Sequence, residues 1–247
     1  MTPFAHHSTA MDAAAPLLND LQRLYGHLPD TSCVCDQPGS CCAFLPEMTF
    51  VEALQWLRVI RGRPEPERTG IFRDFIAFYL STPVDRHGCP FCREGKCSIY
   101  DQRTFACRAY GLWSHEAGQD RTLKNRQQKK ELMKMWRRYG VEIPMDPAGY
   151  EPDYCNKVTT VDGEKPTDKA LFDLLTRIYR LDDGYAGLKT RYETEFFSDF
   201  SFFVTAQILG PKKAVLGKFA VIKEMVKEGT ASRLDQMLAK VKPPFFP

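Results

Sequence analysis

The sequence lacks any long apolar run: nowhere do about 18 apolar residues follow one another, as a membrane-spanning helix requires. Residues 1–16 also lack the basic stretch followed by an apolar stretch that marks a secretory signal. The net charge is only +3 over 247 residues, too small by itself to indicate a nucleic-acid-binding protein. From these absences we expect a cytoplasmic protein with no membrane partner.

Several cofactor motifs are absent as well. The chain contains no C-x3-C-x2-C of a radical S-adenosylmethionine enzyme, no G-x-G-x-x-G after a strand, no P-loop and no H-E-x-x-H. Strands with alternating apolar residues are also few. Any function must therefore be argued from other residues, and the fold must be built mostly from helices.

Apolar residues recur at helical spacing along most of the chain. They predict helices over 11–28, 49–62, 71–80, 120–139, 167–181, 185–208, 212–228 and 230–240. The run Phe196, Phe197, Phe200, Phe202 and Phe203 is expected in the core, because aromatic rings at this spacing pack against neighbouring helices. The predicted fold class is mainly α, with helices packed around an irregular cysteine-rich metal-binding region. Residues 1–160 are predicted to form a cysteine-cluster metal-binding domain, and 161–247 a helical C-terminal region packed on it.

Cysteine is abundant, and it is crowded. Eight of the nine cysteines fall into two groups, which we call the first group (Cys33, Cys35, Cys41, Cys42) and the second group (Cys89, Cys92, Cys97, Cys107). In a reducing compartment disulfides are rare, so crowded thiols indicate metal ligation rather than cross-links. An exported chain would instead favour a framework of four disulfides with one thiol left over. All-sulfur ligation suits zinc and iron–sulfur clusters alike, so both cofactors stay open.

The second group carries a specific string. The segment Cys97-Ser-Ile-Tyr-Asp-Gln-Arg-Thr-Phe-Ala-Cys107-Arg-Ala-Tyr110, preceded by Cys89-Pro-Phe and the vicinal pair Cys41-Cys42, resembles the YkgJ-type cysteine-cluster family. That family is described as a zinc- or iron-chelating domain, and flagellin lysine N-methylase is a distant relative. The resemblance implies a metal-ligand set of Cys33, Cys35, Cys41, Cys42, Cys89, Cys97, Cys107 and Cys155.

The same resemblance leaves Cys92 as the extra cysteine. Two departures from the family pattern lie in these segments. The first group reads C-x-C-x5-C-C where the family usually has C-x2-C before the vicinal pair, and Thr104 stands where a proline is common. The predicted helix over 120–139, which is rich in Lys and Arg, also lengthens the interval between Cys107 and Cys155.

The sequence thus predicts a metal-binding protein that holds an iron–sulfur cluster or zinc through clustered cysteines, in redox or group-transfer chemistry. One alternative is a structural zinc module that presents a basic helix to a protein or nucleic-acid partner. An acidic partner would suit residues 121–138, whose cations otherwise form a solvated helix face. These cations are Arg121, Lys124, Arg126, Lys129, Lys130, Lys134, Arg137 and Arg138. Another alternative is an S-adenosylmethionine-dependent protein methylase-like enzyme, although no S-adenosylmethionine site is visible in the sequence.

Overall fold

The structure, a computed structural model, describes residues 2–33, 40–85, 88–145, 155 and 157–247. It is mainly helical, which confirms the predicted fold class. The helices are α1 (Ala5–Ala13), α2 (Ala15–Tyr25), α3 (Phe50–Arg61), α4 (Glu65–Ser81), α5 (Phe105–Arg108), α6 (His115–Arg138), α7 (Asp168–Arg180), α8 (Ala186–Glu195), α9 (Phe200–Leu209), α10 (Pro211–Glu228) and α11 (Ser232–Ala239). Among these described helices, none combines the length and the apolar character needed to cross a membrane.

Extended structure is limited, in the described residues, to two short antiparallel ribbons. The strand β1 (Thr31–Cys33) pairs with β4 (Val158–Thr160), so that Cys33 lies opposite Val158. The strands β2 (Cys92–Arg93) and β3 (Lys96–Cys97) form a hairpin. Both ribbons are two-stranded, and both carry cysteines.

The helix predicted over 11–28 is in fact two helices, α1 and α2. They meet at Ala14, and Pro16 occupies the first turn of α2. Proline has no backbone N–H and cannot continue the hydrogen-bond ladder of α1, whereas the first turn of a new helix tolerates it. The apolar spacing alone did not indicate this break.

Proline also marks the start of α4, which the sequence predicted only from residue 71 onward. Instead, α4 begins at Glu65 with a proline in its first turn. Glu65 and Glu67 also lie in that turn, where negative charge interacts favourably with the helix dipole. The helix therefore begins six residues, or about 1.7 turns, earlier than predicted.

The helix predicted over 185–208 is interrupted between α8 and α9. Phe197 and Ser198 adopt left-handed backbone conformations with φ of 53° and 54°. The Asp199 side chain then accepts a hydrogen bond from the Phe202 N–H at 3.0 Å, which caps the new helix. Four of the five rings predicted in the core are buried, but Phe197, at this break, is 70% exposed.

One hydrophobic core joins residues from both predicted regions of the chain. Within it α4 packs against α9, α10 and α11, and α3 packs against α1, α2 and α8. The ring of Phe200 on α9 contacts Trp56 edge-on at 5.3 Å and Phe75 at 5.0 Å between ring centroids. The division into 1–160 and 161–247 stays a prediction, but the two stretches bury their apolar side chains together.

Candidate metal centre

The loop of the second group is anchored in the core by Phe91, which lies between Cys89 and Cys92. Phe91 is only 1% exposed. Its ring meets Trp56 at 5.0 Å and Phe75 at 5.5 Å, both in edge-to-face geometry. Burial of a whole phenyl ring contributes about 1.5–3 kcal/mol, so this side chain fixes the cysteines on either side of it.

A second anchor holds the chain after Cys97. The carbonyl of Gln102 accepts hydrogen bonds from the side chains of Gln55, at 2.8 Å, and Trp56, at 3.1 Å. Ile99 is buried in the same loop. These contacts fasten the loop to α3, and Cys89 and Cys97 pack against the edge of the core.

The hairpin places Cys92 directly opposite Cys97. Its two-residue turn is Glu94-Gly95, with φ of 50° and 75°. Side chains of directly opposed residues point to the same face of an antiparallel pair, so the two thiols are neighbours. The resemblance set Cys92 aside, whereas the hairpin brings it together with a cysteine of the implied ligand set.

The first group meets the second through the backbone. Cys41 and Cys42 lie in a short 3-10 helix, Ser40–Ala43. The Cys89 N–H donates to the Cys42 carbonyl at 2.6 Å, and the Cys92 N–H donates to the Cys89 carbonyl at 2.7 Å. Two segments almost fifty residues apart in the sequence are thereby joined at their cysteines.

Cys107 is supplied by α5, which Thr104 caps. The Thr104 hydroxyl accepts from the Cys107 N–H at 3.4 Å. At the start of α5 the Phe105 N–H donates to the buried carboxylate of Glu52, on α3, at 2.6 Å. The position of Cys107 therefore depends on α3, as does the position of the hairpin.

Six thiols interact electrostatically in one connected set, which we call the six-thiol cluster: Cys41, Cys42, Cys89, Cys92, Cys97 and Cys107. Cys42 is linked to Cys89 and Cys92, and Cys97 is linked to Cys41. Cys89 interacts with Cys107 as well. The crowding seen in the sequence is thus also a crowding in space.

The thiols of this cluster have strongly altered acidities. A hydrogen bond between Cys41 and Cys42 lowers the pKa of Cys41 to about 6 and raises the pKa of Cys42. Burial, together with repulsion from the neighbouring thiols, raises the pKa of Cys89 to about 12. Burial likewise raises the pKa of Cys97 and of Cys107. Clustered thiols in a partly buried site resist the thiolate state because their negative charges repel one another.

Arg103 is a positive charge that acts on three thiols of the cluster. It lowers the pKa values of Cys41, Cys97 and Cys107, and at each of them it opposes the effect of burial. Its guanidinium lies 3.5 Å from the centre of the Tyr100 ring, and its Nε donates to the Tyr100 carbonyl at 3.0 Å. One arginine supplies a single positive charge, so six thiolates would leave a large negative excess.

Cys33 ends the strand β1, and Cys155 precedes the strand β4 by three residues. Cys33 lies opposite Val158. Gly111, with φ of +80°, passes so close that a Cβ there would stand 2.5 Å from a Val158 methyl and 3.4 Å from the Cys155 carbonyl. Since Gly111 is four residues after Cys107, the backbone of Cys155 runs beside the chain that leaves the cluster. Closure of the site by Cys155 stays a prediction.

Cys35 lies outside the described residues. None of the other eight cysteines forms a disulfide bond. Across the described ranges, no group of three or more His, Cys, Asp or Glu side chains is arranged so that it could hold a metal ion. The chemistry of the cluster nevertheless fits a soft metal, because thiolate sulfur is the preferred ligand of zinc and of iron–sulfur clusters.

Comparisons with known proteins identify no relative of this chain. No family model, curated protein or solved structure matches this chain. The YkgJ-type resemblance therefore stays a hypothesis carried by the cysteine strings alone.

Proposed function

We propose that this protein binds a soft metal through clustered cysteines, as an iron–sulfur cluster or as zinc. The observation that supports the proposal best is the six-thiol cluster, in which cysteines from two distant segments lie near enough to alter one another's pKa values. Inert core cysteines have no reason to gather in this way, since each would pack equally well at separate positions. Redox or group-transfer chemistry, and the methylase-like alternative, stay predictions.

Charge is the physical reason why such a cluster calls for a metal. Burial already raises the pKa values of Cys89, Cys97 and Cys107, and each neighbouring thiolate adds repulsion. A divalent cation or a cluster of iron ions removes that repulsion and deprotonates the thiols it binds. The side chains must turn toward a common centre when the metal enters, because ligand geometry is not present among the described residues.

The metal itself is tested with anaerobically purified protein. An iron–sulfur cluster predicts brown protein, a visible charge-transfer band, and stoichiometric iron and sulfide by elemental analysis. Colourless protein with one or two equivalents of zinc would contradict the iron–sulfur assignment and keep the metal assignment. Protein that folds by circular dichroism and yet retains neither metal, even after reconstitution, would contradict both.

A matched pair of substitutions tests which cysteines hold the metal. Cys92→Ser and Cys155→Ser remove the same atom from two half-buried residues. The family resemblance predicts loss of metal only for Cys155→Ser. The hairpin and the six-thiol cluster predict loss for Cys92→Ser as well. Metal content per folded protein, measured alongside Cys42→Ser as the reference for a cluster member, separates the two cases.

A further inference from the structure

The hairpin β2–β3 holds its two cysteines where a cross-strand disulfide would join them. Beyond the cysteines, the Ser98 N–H donates to the Phe91 carbonyl at 2.8 Å, so these two residues form a hydrogen-bonded pair. Hydrogen-bonded and non-hydrogen-bonded pairs alternate along an antiparallel ribbon. Cys92 and Cys97, the next pair toward the turn, are therefore a non-hydrogen-bonded pair. In pairs of this kind the side chains lie closest together.

The separation within such a pair matches what a disulfide needs. Directly opposed Cβ atoms lie about 4.5–5.5 Å apart, at the shorter end in non-hydrogen-bonded pairs. A disulfide joins Cβ atoms about 3.5–4.5 Å apart. Cys41 and Cys42 are less suited, although their side chains are hydrogen-bonded to each other. Consecutive Cα atoms are only about 3.8 Å apart, and most disulfides need at least about 4.4 Å between Cα atoms.

Cys89 is the other candidate partner for Cys92, because a turn brings their backbones together. The Cys92 N–H donates to the Cys89 carbonyl at 2.7 Å. Burial is the main reason why the pKa of Cys97 is raised, and among the neighbouring thiols Cys92 contributes most. Burial also dominates the raised pKa of Cys89, but there two other thiols contribute more than Cys92. This order agrees with the strand pairing, in which Cys97 is the direct neighbour of Cys92.

Both strands of the hairpin are fastened to the rest of the protein, which keeps the two cysteines opposed. On β2, Arg93 forms an ion pair with Asp74 of α4. Just after β3, the Ser98 carbonyl accepts a hydrogen bond from the Arg63 guanidinium at 3.3 Å. Both cysteines are half-buried rather than enclosed. A small disulfide reagent can therefore reach them without opening the fold.

We propose that Cys92 and Cys97 form a reversible disulfide, and that its formation releases the metal. The release step rests on the proposed function. One protein thiol loses its proton and attacks a sulfur of glutathione disulfide, which expels one glutathione thiolate. The second protein thiol loses its proton and attacks the mixed disulfide, which expels the other glutathione thiolate. The two protons pass to these thiolates. Two protein thiols are thereby oxidised, and one glutathione disulfide is reduced to two glutathione molecules.

Loss of the metal follows from the change in the two sulfur atoms. Zinc and iron are bound by thiolates, whereas a disulfide sulfur has no negative charge to offer them. Oxidation removes two members of the six-thiol cluster at once, and both lie on the same face of the hairpin. Reduction of the disulfide restores both ligands. The metal content of the protein would therefore follow the redox state of its surroundings.

Peptide mapping tests the disulfide on the native protein after a chelator has removed the metal. The protein is treated with glutathione disulfide at roughly millimolar concentration, alkylated and digested with trypsin. Trypsin cleaves after Arg93 and Lys96, so the two cysteines fall in separate peptides, 87–93 and 97–103. We expect these peptides to be joined until a reductant is added. The link should form at least about tenfold faster than in urea-unfolded protein, because the fold holds the two thiols together.

Matched serine substitutions identify the partner of Cys97. Peptide 87–93 also contains Cys89, so Cys89→Ser should keep the link and Cys92→Ser should abolish it. Both variants are first checked for native helical content by circular dichroism, and fragmentation of the linked wild-type peptides gives the same assignment independently. The metal-loaded wild type is then oxidised in the same way, while a chromogenic chelator reports free metal. We expect metal to be lost in step with formation of the link, and to bind again after reduction.

Three outcomes would overturn the inference. Native protein that stays reduced, although its thiols react with an alkylating reagent, would exclude the disulfide. A link within peptide 87–93, or between Cys41 and Cys42, would assign the oxidation to another pair. Retention of the metal after complete formation of the link would exclude the release step. Failure of the proposed function is distinguishable from these, because a protein that never binds metal would still form the link between Cys92 and Cys97.

Discussion

Glu52 offers the sharpest test of how α3 holds the candidate site. Its carboxylate is 2% exposed. One oxygen accepts from the Tyr25 hydroxyl and from the Phe105 N–H, both at 2.6 Å. The other accepts from the N–H and the hydroxyl of Thr49, both at 2.9 Å. This one side chain therefore joins α2, the start of α3 and the segment that carries Cys107.

The cost of losing Glu52 follows from those four hydrogen bonds. Glu52→Ala leaves three residues with buried donors, each costing about 1–3 kcal/mol when unsatisfied. Part of this is recovered because a buried carboxylate no longer has to be desolvated. We expect Glu52→Ala to lower the free energy of unfolding by about 4 kcal/mol. Glu52→Gln keeps one oxygen but turns an NH2 toward two donors, and should cost about 2–3 kcal/mol.

Tyr25→Phe is the matched control, because it removes one of the four hydrogen bonds and little volume. It should cost about 1–1.5 kcal/mol. Urea unfolding at pH 7, followed by far-UV circular dichroism, gives the three values. Hydrogen exchange of the Phe105 amide provides a local measurement, and it should accelerate in Glu52→Gln but much less in Tyr25→Phe.

The reasoning fails if Glu52→Gln is no less stable than Tyr25→Phe. It also fails if the Phe105 amide keeps its protection when Glu52 is changed. A double-mutant cycle between Tyr25 and Glu52 should give a coupling of about 1 kcal/mol or more, because the two groups are in direct contact.

Three further predictions concern other parts of the fold. Burial lowers the pKa of His7 to about 4, so stability should fall by up to about 3 kcal/mol between pH 6.5 and 4, and His7→Leu should lack this loss. Burial lowers the pKa of Lys218 to about 8, but its ammonium also lies 4.3 Å from the centre of the Tyr79 ring, so Lys218→Met should raise the unfolding free energy at pH 7 by about 1–2 kcal/mol. Gly111→Ala should cost about 1–3 kcal/mol more than Gly163→Ala, since both have positive φ but only Gly111 is crowded.

Urea midpoints measure all three, with exposed residues as controls. His27→Leu should keep the pH dependence of the wild type, and Lys223→Met, on the solvent side of α10, should change stability by less than about 0.5 kcal/mol. Parallel pH profiles for wild type and His7→Leu would contradict the first prediction. A Lys218→Met protein less stable than wild type at pH 7 would contradict the second. Equal losses for the two glycine variants would contradict the third.

The helical fold could be predicted because its helices carry regular apolar spacing. The breaks could not, since they depend on single backbone positions. Pro16 divides the first predicted helix, and the left-handed conformations at Phe197 and Ser198 divide another. The apolar spacing is the same on both sides of each break, so it predicts one continuous helix where the structure has two.

Glu52 shows the same limit at the level of a side chain. The sequence Thr49-x-x-Glu52 predicts a local capping interaction, and the Thr49 N–H does donate to Glu52. Its contacts with Tyr25 and Phe105 cross 27 and 53 residues of chain, respectively. They exist because α2 and α5 pack on α3, which no local pattern encodes.

Cys92 is the instructive case for the candidate site. Comparison with a family motif assigns a ligand role to each cysteine from the residues next to it in sequence. This comparison assigns no role to Cys92. The segment Cys92-Arg-Glu-Gly-Lys-Cys97 nevertheless contains a hairpin signal, because a glycine in the second position of a two-residue turn allows positive φ there. Such a turn pairs the first and last residues of the segment, which are both cysteines. Cross-strand pairing constrains the positions of the two thiols more strongly than the sequence motif does, because it places both on the same face of the hairpin. Metal should therefore depend on Cys92 and Cys97 together.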